Sequence, residues 1–578
     1  MASPSSRRRW QRELTASRTS PILQQAGCSV APTLLRARTS NLPEDRFVDV
    51  PERAMKWRGD RRARGALVAL LVLAFLLRIW GLTYGLPFVD EFTTDNEMLV
   101  PLAVHITIRD PSPHHFGFPG STFIYPLASM FHLENWLARL RGGTALYVEQ
   151  AFALNPTPFY ATGRLLAASA ATLAVLVVYL IGRDMSCTRA GLVAAGLLAL
   201  SPLDVFVSHM ARPDTLVALL TSLSLLFCLK ILKQPRWEYY AAAGASAGLA
   251  TSSKYYGVLV IACLPLAHML GALRGRAEGE RGNEARALLK LGLGLTFVAV
   301  AFAASSPFAI WEYRTTWAGI GEVAQTEHLS ADGLSPLGNL RWYVAQAAPA
   351  AMGWAAAALV PVGIWQAVRR RALPVAVVAA FVVVYLAGIS MLGLHWDRWL
   401  LPAVPALAVA SALGLEQLLE WMGRAVRPGS TRVFCSSLLL VLVAWQPASK
   451  AIVENINRSL PDTRIQAREW IQANLPAGSE VAADAYSAPL DADRFRLMKT
   501  FSLSYESLEF YQEQGIEYLV TSGAMYERFL AEAERYEANL DFYERLKREG
   551  SLIYQVAPVR WRTAGPTVSV YRVQVGGA

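Results

Sequence analysis

Between Tyr84 and Pro126 the chain gathers side chains suited to chemistry: Asp90, Glu91, Asp95 and Glu97, three of the eight histidines, and the aromatic turn Phe116-Gly-Phe-Pro-Gly. Crossing a bilayer requires none of these. Further along, Asp214 closes the turn His209-Met-Ala-Arg-Pro-Asp, Lys254 precedes Tyr255 and Tyr256, and His395 and Arg398 stand in His-Trp-Asp-Arg-Trp. A carboxylate beside a set of Lys, Arg and His suits group transfer from a phosphate-linked donor. The carboxylate takes a proton from an acceptor hydroxyl. The cations hold the phosphate and stabilise the charge that grows on it as it leaves.

The elements that must position these groups are membrane helices. The chain has 578 residues, 53% of them hydrophobic and 17% charged, and apolar runs of spanning length recur along it. Such a composition excludes an ordinary soluble enzyme of this size. The net charge of +10 does not point to nucleic acid, because residues 1–64 carry 14 Lys/Arg against 6 Asp/Glu. That surplus, and the Lys and Arg of short loops, fit cytoplasmic anchoring by positive charge. The five cysteines have no paired spacing and imply neither a disulfide framework nor a zinc site.

Residues 1–62 read as a disordered basic cytoplasmic tail, 63–449 as a transmembrane domain and 450–578 as a soluble extracytoplasmic α/β domain. The first crossing runs from Gly65 to about Leu82, with Arg78 snorkelling to the interface. A large outer loop follows at 83–160, within which Ser121–Leu140 reads as a helix lying in the interface. Further crossings are expected at 161–182, 190–208, 214–232, 238–253, 256–272, 288–306, 343–367, 373–393, 399–419 and 432–447, which makes about 11 transmembrane helices. A second outer loop at 306–339 carries Trp311, Tyr313, Trp317, Glu327, His328 and Asp332. The five inner loops hold 2, 3, 5, 3 and 3 Lys/Arg, whereas the outer turns near Arg212, Lys254 and Arg398 hold one each. This asymmetry puts the amino terminus inside and the carboxyl terminus outside a plasma membrane. No paired Gly/Pro-broken spans of the transporter kind are evident.

In the carboxyl-terminal part, Asp462 is placed to cap a helix reaching Leu475, between Pro461 and Pro476. Ser479–Ala483, Ile516–Thr521, Leu552–Val556 and Thr567–Val573 read as strands, and Ala524–Glu549 as one or two helices.

The order and common side of these groups carry a resemblance. Val89-Asp-Glu, Phe116-Gly-Phe-Pro-Gly, Gly163-Arg-Leu, Ser201-Pro followed by His209 and Asp214, Gly248-Leu-Ala followed by Lys254, and His395 to Arg398, Pro402 and Pro405 span roughly residues 65–420. Together they resemble the C superfamily of integral-membrane glycosyltransferases, in the branch of protein O-mannosyltransferases and the lipid A aminoarabinose transferase. Val89 departs from the polar residue or proline common before the acidic pair.

The resemblance implies an all-α polytopic fold and transfer of a sugar from a polyprenyl-phosphate donor to an extracytoplasmic acceptor: a protein hydroxyl, a glycolipid or a wall glycan. It implies an inverting displacement with Asp90 as base, beside Glu91. Asp214 matches a second acidic position that shapes the site or, in some relatives, helps hold a metal. Lys254, Tyr255, His209, His395 and Arg398 match substrate-binding positions. No cofactor is certain and a divalent metal is allowed; His114 and His115 read as loop histidines rather than ligands.

Plainer readings stand beside these. Asp90 could cap an interfacial helix, Glu91 could be solvated, Asp214 could favour a helix dipole, and Lys254 could snorkel. For the whole chain the alternatives are a polytopic transporter or lipid flippase, and an anchored binding protein whose outer domain does the work. Charges clustered at one face speak against the transporter, and about eleven crossings against a mere anchor.

Overall fold

A computed structural model describes residues 61–92, 97–142, 146–277, 284–323, 329, 334–370 and 372–574. The amino-terminal tail to residue 60, Asp95, Glu327, His328 and Asp332 lie outside the described residues. The chain is mostly helical. It begins with α1 (Arg61–Ile79), α2 (Val89–Phe92), α3 (Leu99–His105), α4 (Ser121–Leu140) and α5 (Val148–Leu154). There follow α6 (Thr157–Met185), α7 (Thr188–Ala199), α8 (Pro202–Ser208), α9 (Asp214–Lys233) and α10 (Trp237–Ser253). A 3₁₀ stretch, Tyr255–Ala262, leads into α11 (Cys263–Ala277), and α12 (Glu284–Ser305), α13 (Pro307–Trp311) and α14 (Tyr313–Val323) come next. After α15 (Pro336–Trp342) a π turn runs into α16 (Ala348–Met352), then α17 (Trp354–Arg369), α18 (Leu373–Ser390), α19 (Val404–Ala425) and α20 (Ser430–Ser459).

Among the described residues seven helices are long and apolar enough to cross a membrane, or nine when two bent pairs each count as one span. Each of the eleven expected crossings coincides with one of these or with α1 or α10. Those two fall short because α1 has Arg61, Arg62, Arg64 and Arg78 in 19 residues and α10 has only 17 residues. The helix expected at Ser121–Leu140 has those bounds and is not among the spans. Its apolar residues Ile124, Leu127, Ala128 and Phe131 recur at helical spacing and bury against α3 and α6, leaving Trp136 and Leu140 exposed.

Two expectations are corrected. Arg78 does not snorkel: it is fully buried, bonded to the equally buried Asp204, and donates to Ala74 O at 2.8 Å and Leu198 O at 3.2 Å. The break at Ser201-Pro202 ends the helical ladder of α7, and the guanidinium donates to the last carbonyls, of Leu198 and Ala199. Spans are also broken after all. The α7–α8 pair bends by 55° and the pair Pro336–Met352 and Trp354–Arg369 by 117°. The second bend turns on Gly353 at φ +87°, a left-handed conformation that glycine adopts without a Cβ clash. The breaks meet where Ser201 Oγ donates to Ala351 O at 2.7 Å.

Close approach fixes α10. In Gly244-Ala-Ser-Ala-Gly248, a Cβ on Gly244 would stand 2.0 Å from Gly294 O, and one on Gly248 2.3 Å from Val298 O, both on α12. Small residues at this spacing let helices pack backbone to backbone. Gly248→Val should therefore force α12 outward and cost about 1–3 kcal/mol, as overpacking does. A thermal unfolding midpoint in detergent lower than that of the native protein checks this.

The remaining chain forms a mixed five-stranded sheet, β1 (Glu480–Asp484), β2 (Arg496–Thr500), β3 (Tyr518–Ser522), β4 (Ser551–Val556) and β5 (Val568–Arg572), ordered β2-β1-β3-β5-β4. β1 is parallel to β2 and β3, and β5 antiparallel to β3 and β4. Strand alternation sends Val481, Ala483, Val520 and Val570 to α21 (Thr463–Asn474), and Ala482 and Leu519 to the other face. There they meet α22 (Leu508–Glu513), α23 (Gly523–Ala531) and α24 (Glu537–Glu549). Asp462 caps α21 as expected, its Oδ1 accepting from Arg464 N at 2.8 Å.

Candidate functional site

The short helix α2 holds Asp90 and Glu91 on opposite terms. The Glu91 carboxylate accepts from Lys499 Nζ on β2 at 2.7 Å, and its backbone oxygen accepts from Arg464 Nη1 at 2.7 Å. Arg464, on α21, also donates to Tyr84 OH at 2.6 Å and to Asp462, and its guanidinium lies 3.9 Å over the Phe92 ring. Tyr84 OH in turn donates to Asp462 at 2.9 Å. The carboxyl-terminal domain thus grips both sides of the acidic helix, while Asp90 is exposed. Its carboxyl lies against the protein surface, and this desolvation, then the Glu91 charge, hold its pKa above the usual carboxylate value; Lys499 acts in the opposite sense. Tyr160, opening α6, lies within electrostatic reach of Asp90 and Glu97.

A buried ion pair anchors this loop to the helices. Arg164 Nη2 donates to Glu97 Oε1 at 2.7 Å, and both side chains are almost wholly buried. Nη1 donates to Leu82 O and Tyr84 O, each at 2.7 Å, and Glu97 Oε2 accepts from Ala211 N at 2.8 Å. One pair therefore joins the acidic loop, α6 and the turn before Asp214. Arg164→Met would leave Glu97 buried without its cation, at a cost of about 3–5 kcal/mol. Unfolding in detergent should show a large loss, partly recovered when Glu97→Gln is added to the same chain.

The second centre is built around Asp214, the fully buried first residue of α9. Its Oδ1 accepts from Lys254 Nζ at 2.7 Å and from Tyr256 OH at 3.1 Å, and Arg212 Nε lies 3.5 Å from Oδ2. Lys254 leaves the end of α10 in extended conformation, its ammonium 5.4 Å from the Phe118 ring centroid. The aromatic turn is pinned there: Gly120 N donates to Ser253 O at 3.2 Å and Tyr255 OH to Phe116 O at 3.0 Å. Arg398 is within electrostatic range of Asp214, Lys254 and Tyr256 and stacks 4.7 Å over Trp396. His395 is buried, edge-on to Trp342 at 4.6 Å.

Asp214, Lys254 and Arg398 are therefore brought together, and Asp214 acts there as counter-ion to Lys254. The tyrosine bonded to Asp214 is Tyr256, whereas the expected Tyr255 bonds the aromatic turn at Phe116 O. His209 stands elsewhere: its ring bridges Val205 O at 2.7 Å and Trp80 O at 2.9 Å, joining α8 to the end of α1. Sequence reasoning assigned no role to Arg164, Glu97, Arg464 or Lys499. Arg164 was marked by the Gly163-Arg-Leu resemblance and by the rarity of charge inside a helix that spans a membrane, but neither signal named its partner. Among the described residues no three His, Cys, Asp or Glu side chains converge as a metal-binding set. Glu97 and Asp214 instead face cations of the protein, so these residues do not fit a metal.

Residues 160–311 match the family model described as dolichyl-phosphate-mannose-protein mannosyltransferase. The segment includes Arg164, Asp214 and Lys254, and it bears out the resemblance to C-superfamily glycosyltransferases. Among curated proteins none matches the sequence. Of solved structures, the Archaeoglobus fulgidus oligosaccharyltransferase is 14% identical with a TM-score of 0.49, over 89% of this chain and 76% of that one. ArnT from Cupriavidus metallidurans, solved with undecaprenyl phosphate, is 16% identical with a TM-score of 0.48, over 89% of this chain and 98% of that one. The Saccharomyces cerevisiae Pmt1-Pmt2 complex, solved with its sugar donor, is 17% identical with a TM-score of 0.32, over 44% and 34%.

Proposed function

We propose that this membrane protein, whose residues 160–311 match the mannosyltransferase family model, transfers a sugar from a polyprenyl-phosphate donor to an extracytoplasmic acceptor. The observation that carries the reading is a division of labour among charges. Lys254, Arg212 and Arg398 gather around Asp214, while Asp90 is exposed on α2.

The Asp90 carboxylate takes the proton of an acceptor hydroxyl, and the oxygen attacks the anomeric carbon. The bond from that carbon to the lipid phosphate breaks on the opposite face, which inverts the configuration. The phosphate gains a negative charge as it leaves, and Lys254 and Arg398 stabilise it. Asp214 keeps the Lys254 ammonium charged and aimed. Glu91, held by Lys499 and Arg464, fixes the helix that carries Asp90 rather than moving a proton.

In this reading residues 63–449 form the catalytic membrane domain of a plasma-membrane protein. The amino terminus is cytoplasmic and the domain at 450–578 extracytoplasmic, as the loop charges suggest. The broken spans are a feature that a transporter would share. At the α7–α8 break, however, the polar side chains are bonded within the protein: Asp204 to Arg78, and Ser201 Oγ to Ala351 O. That leaves them poorly suited to line a pathway.

Purified protein in lipid, given a panel of radiolabelled polyprenyl-phosphate sugars, should release label from at least one donor. No release from any donor, together with solute or lipid flux in sealed vesicles, would overturn the reading in favour of transport.

A further inference from the structure

A cleft of about 490 Å³ lies between the outer end of α20 and the loop preceding β5. Tyr84, Glu454, Asn457, Arg458, Arg560 and Trp561 line it. Its volume falls in the range of about 300–1,000 Å³ usual for small-molecule sites.

Its construction points to a ligand. Trp561 sits at φ +65°, a left-handed conformation rare for a bulky residue. It is held there by a closed turn. Arg562 N and Thr563 N both donate to Val559 O at 2.9 Å, and Val559 N donates to Thr563 Oγ1 at 2.7 Å. The turn is fastened to the start of α21 by Ala564 N to Pro461 O at 3.0 Å and Thr463 N to Ala564 O at 2.9 Å. Strain that the surroundings fix in place is a mark of function. Trp561 is half exposed, with the Arg560 guanidinium 5.2 Å from its ring centroid.

The chemistry of the wall is that of carbohydrate recognition. An aromatic face suits the C–H side of a sugar ring, while amide, guanidinium and carboxylate groups suit its hydroxyls. Glu454 lines the cleft and neutralises Arg458 at 3.1 Å, which counts against an anionic ligand.

The position is equally specific. Tyr84 lines the cleft and also packs edge-on against Phe92 of α2 at 5.4 Å. Tyr84 thus joins the wall of the cleft to the helix that carries Asp90.

We propose that this cleft is a saccharide-binding subsite, with Trp561 as its stacking platform and Arg560 and Asn457 as its hydroxyl contacts, and that it seats a sugar unit of a glycan acceptor. The assignment to the acceptor rests on the transferase reading; the binding of saccharide does not.

Saturation-transfer NMR on the full chain in lipid nanodiscs tests it, with methyl α-mannoside, mannose disaccharides and arabinose disaccharides as probes. At least one probe should bind. Trp561→Asn tolerates the left-handed backbone and removes the aromatic face, so the Kd should rise about three- to tenfold, the size of one lost aromatic contact. Arg560→Met should weaken binding as well.

No binding by any saccharide would overturn the proposal, as would binding unchanged in both variants. Displacement by inorganic phosphate would overturn it too, making this a phosphate site. Release of donor sugar to water, measured in parallel, separates the two readings. If both variants release sugar at the native rate while saccharide affinity falls, the subsite stands. A native protein that binds saccharide but cleaves no donor leaves the subsite in place and removes its link to transfer.

Discussion

Asp90→Asn is expected to lower sugar transfer by about 10²–10⁴-fold, the range for loss of a general base. It should leave the fold unchanged, because Asp90 is exposed and makes no ion pair among the described residues. The amide keeps the shape of the carboxylate and removes only its basicity. Transfer equal to that of the native protein would take Asp90 out of the mechanism.

The pH profile adds a second readout. A base must be ionised to act, so the rate rises as pH passes upward through the Asp90 pKa. Desolvation and Glu91 set that rise above the ordinary carboxylate range, and Lys499 restrains it. Lys499→Met should therefore shift the acid limb to still higher pH, and Lys499→Arg should restore it. Initial rates across the pH scale, at saturating donor, give both answers.

Lys254→Met should be the most damaging change in the second centre. Asp214 is fully buried and Lys254 nearly so, and removing one partner of such a pair costs about 3–5 kcal/mol. The single variant alone would not separate folding from chemistry. Lys254→Met with Asp214→Asn removes both charges and should recover most of the unfolding midpoint. If transfer stays low in the recovered protein, with a raised KM for the donor, Lys254 holds the phosphate. If transfer returns with stability, the pair only supports the fold.

Features set by neighbours in sequence were legible. The cap at Asp462, the four strands of the sheet interior and carboxyl end, and the amphipathic helix Ser121–Leu140 all depend on local pattern. β2 escaped because Arg496-Leu-Met-Lys-Thr is an edge strand, where charge replaces the apolar run that marks a buried strand. The bends at Ser201-Pro202 and Gly353 escaped because hydropathy reports where a run is apolar and is blind to its direction.

The site divides in the same way. Asp214, Lys254 and Arg398 could be grouped from sequence because each sits where an apolar run ends on a face poor in charge. Arg78 with Asp204 and Arg164 with Glu97 are 126 and 67 residues apart, and no local signal announces such partners. The grip of Arg464 and Lys499 on α2 joins positions 373 and 408 residues apart.

That grip couples two folding units thermodynamically. Arg464 and Lys499 lose bonds whenever α2 moves, and α2 loses order whenever the sheet domain swings away. Coupling of this kind is reciprocal. A ligand that orders the acidic loop must also slow amide exchange along β2 and α21. By the same linkage, a ligand of the sheet domain that raised the loop's affinity for its own ligand would have its affinity raised by that ligand by the same factor. Through these bonds, order in the sheet domain and order in the acidic loop favour each other.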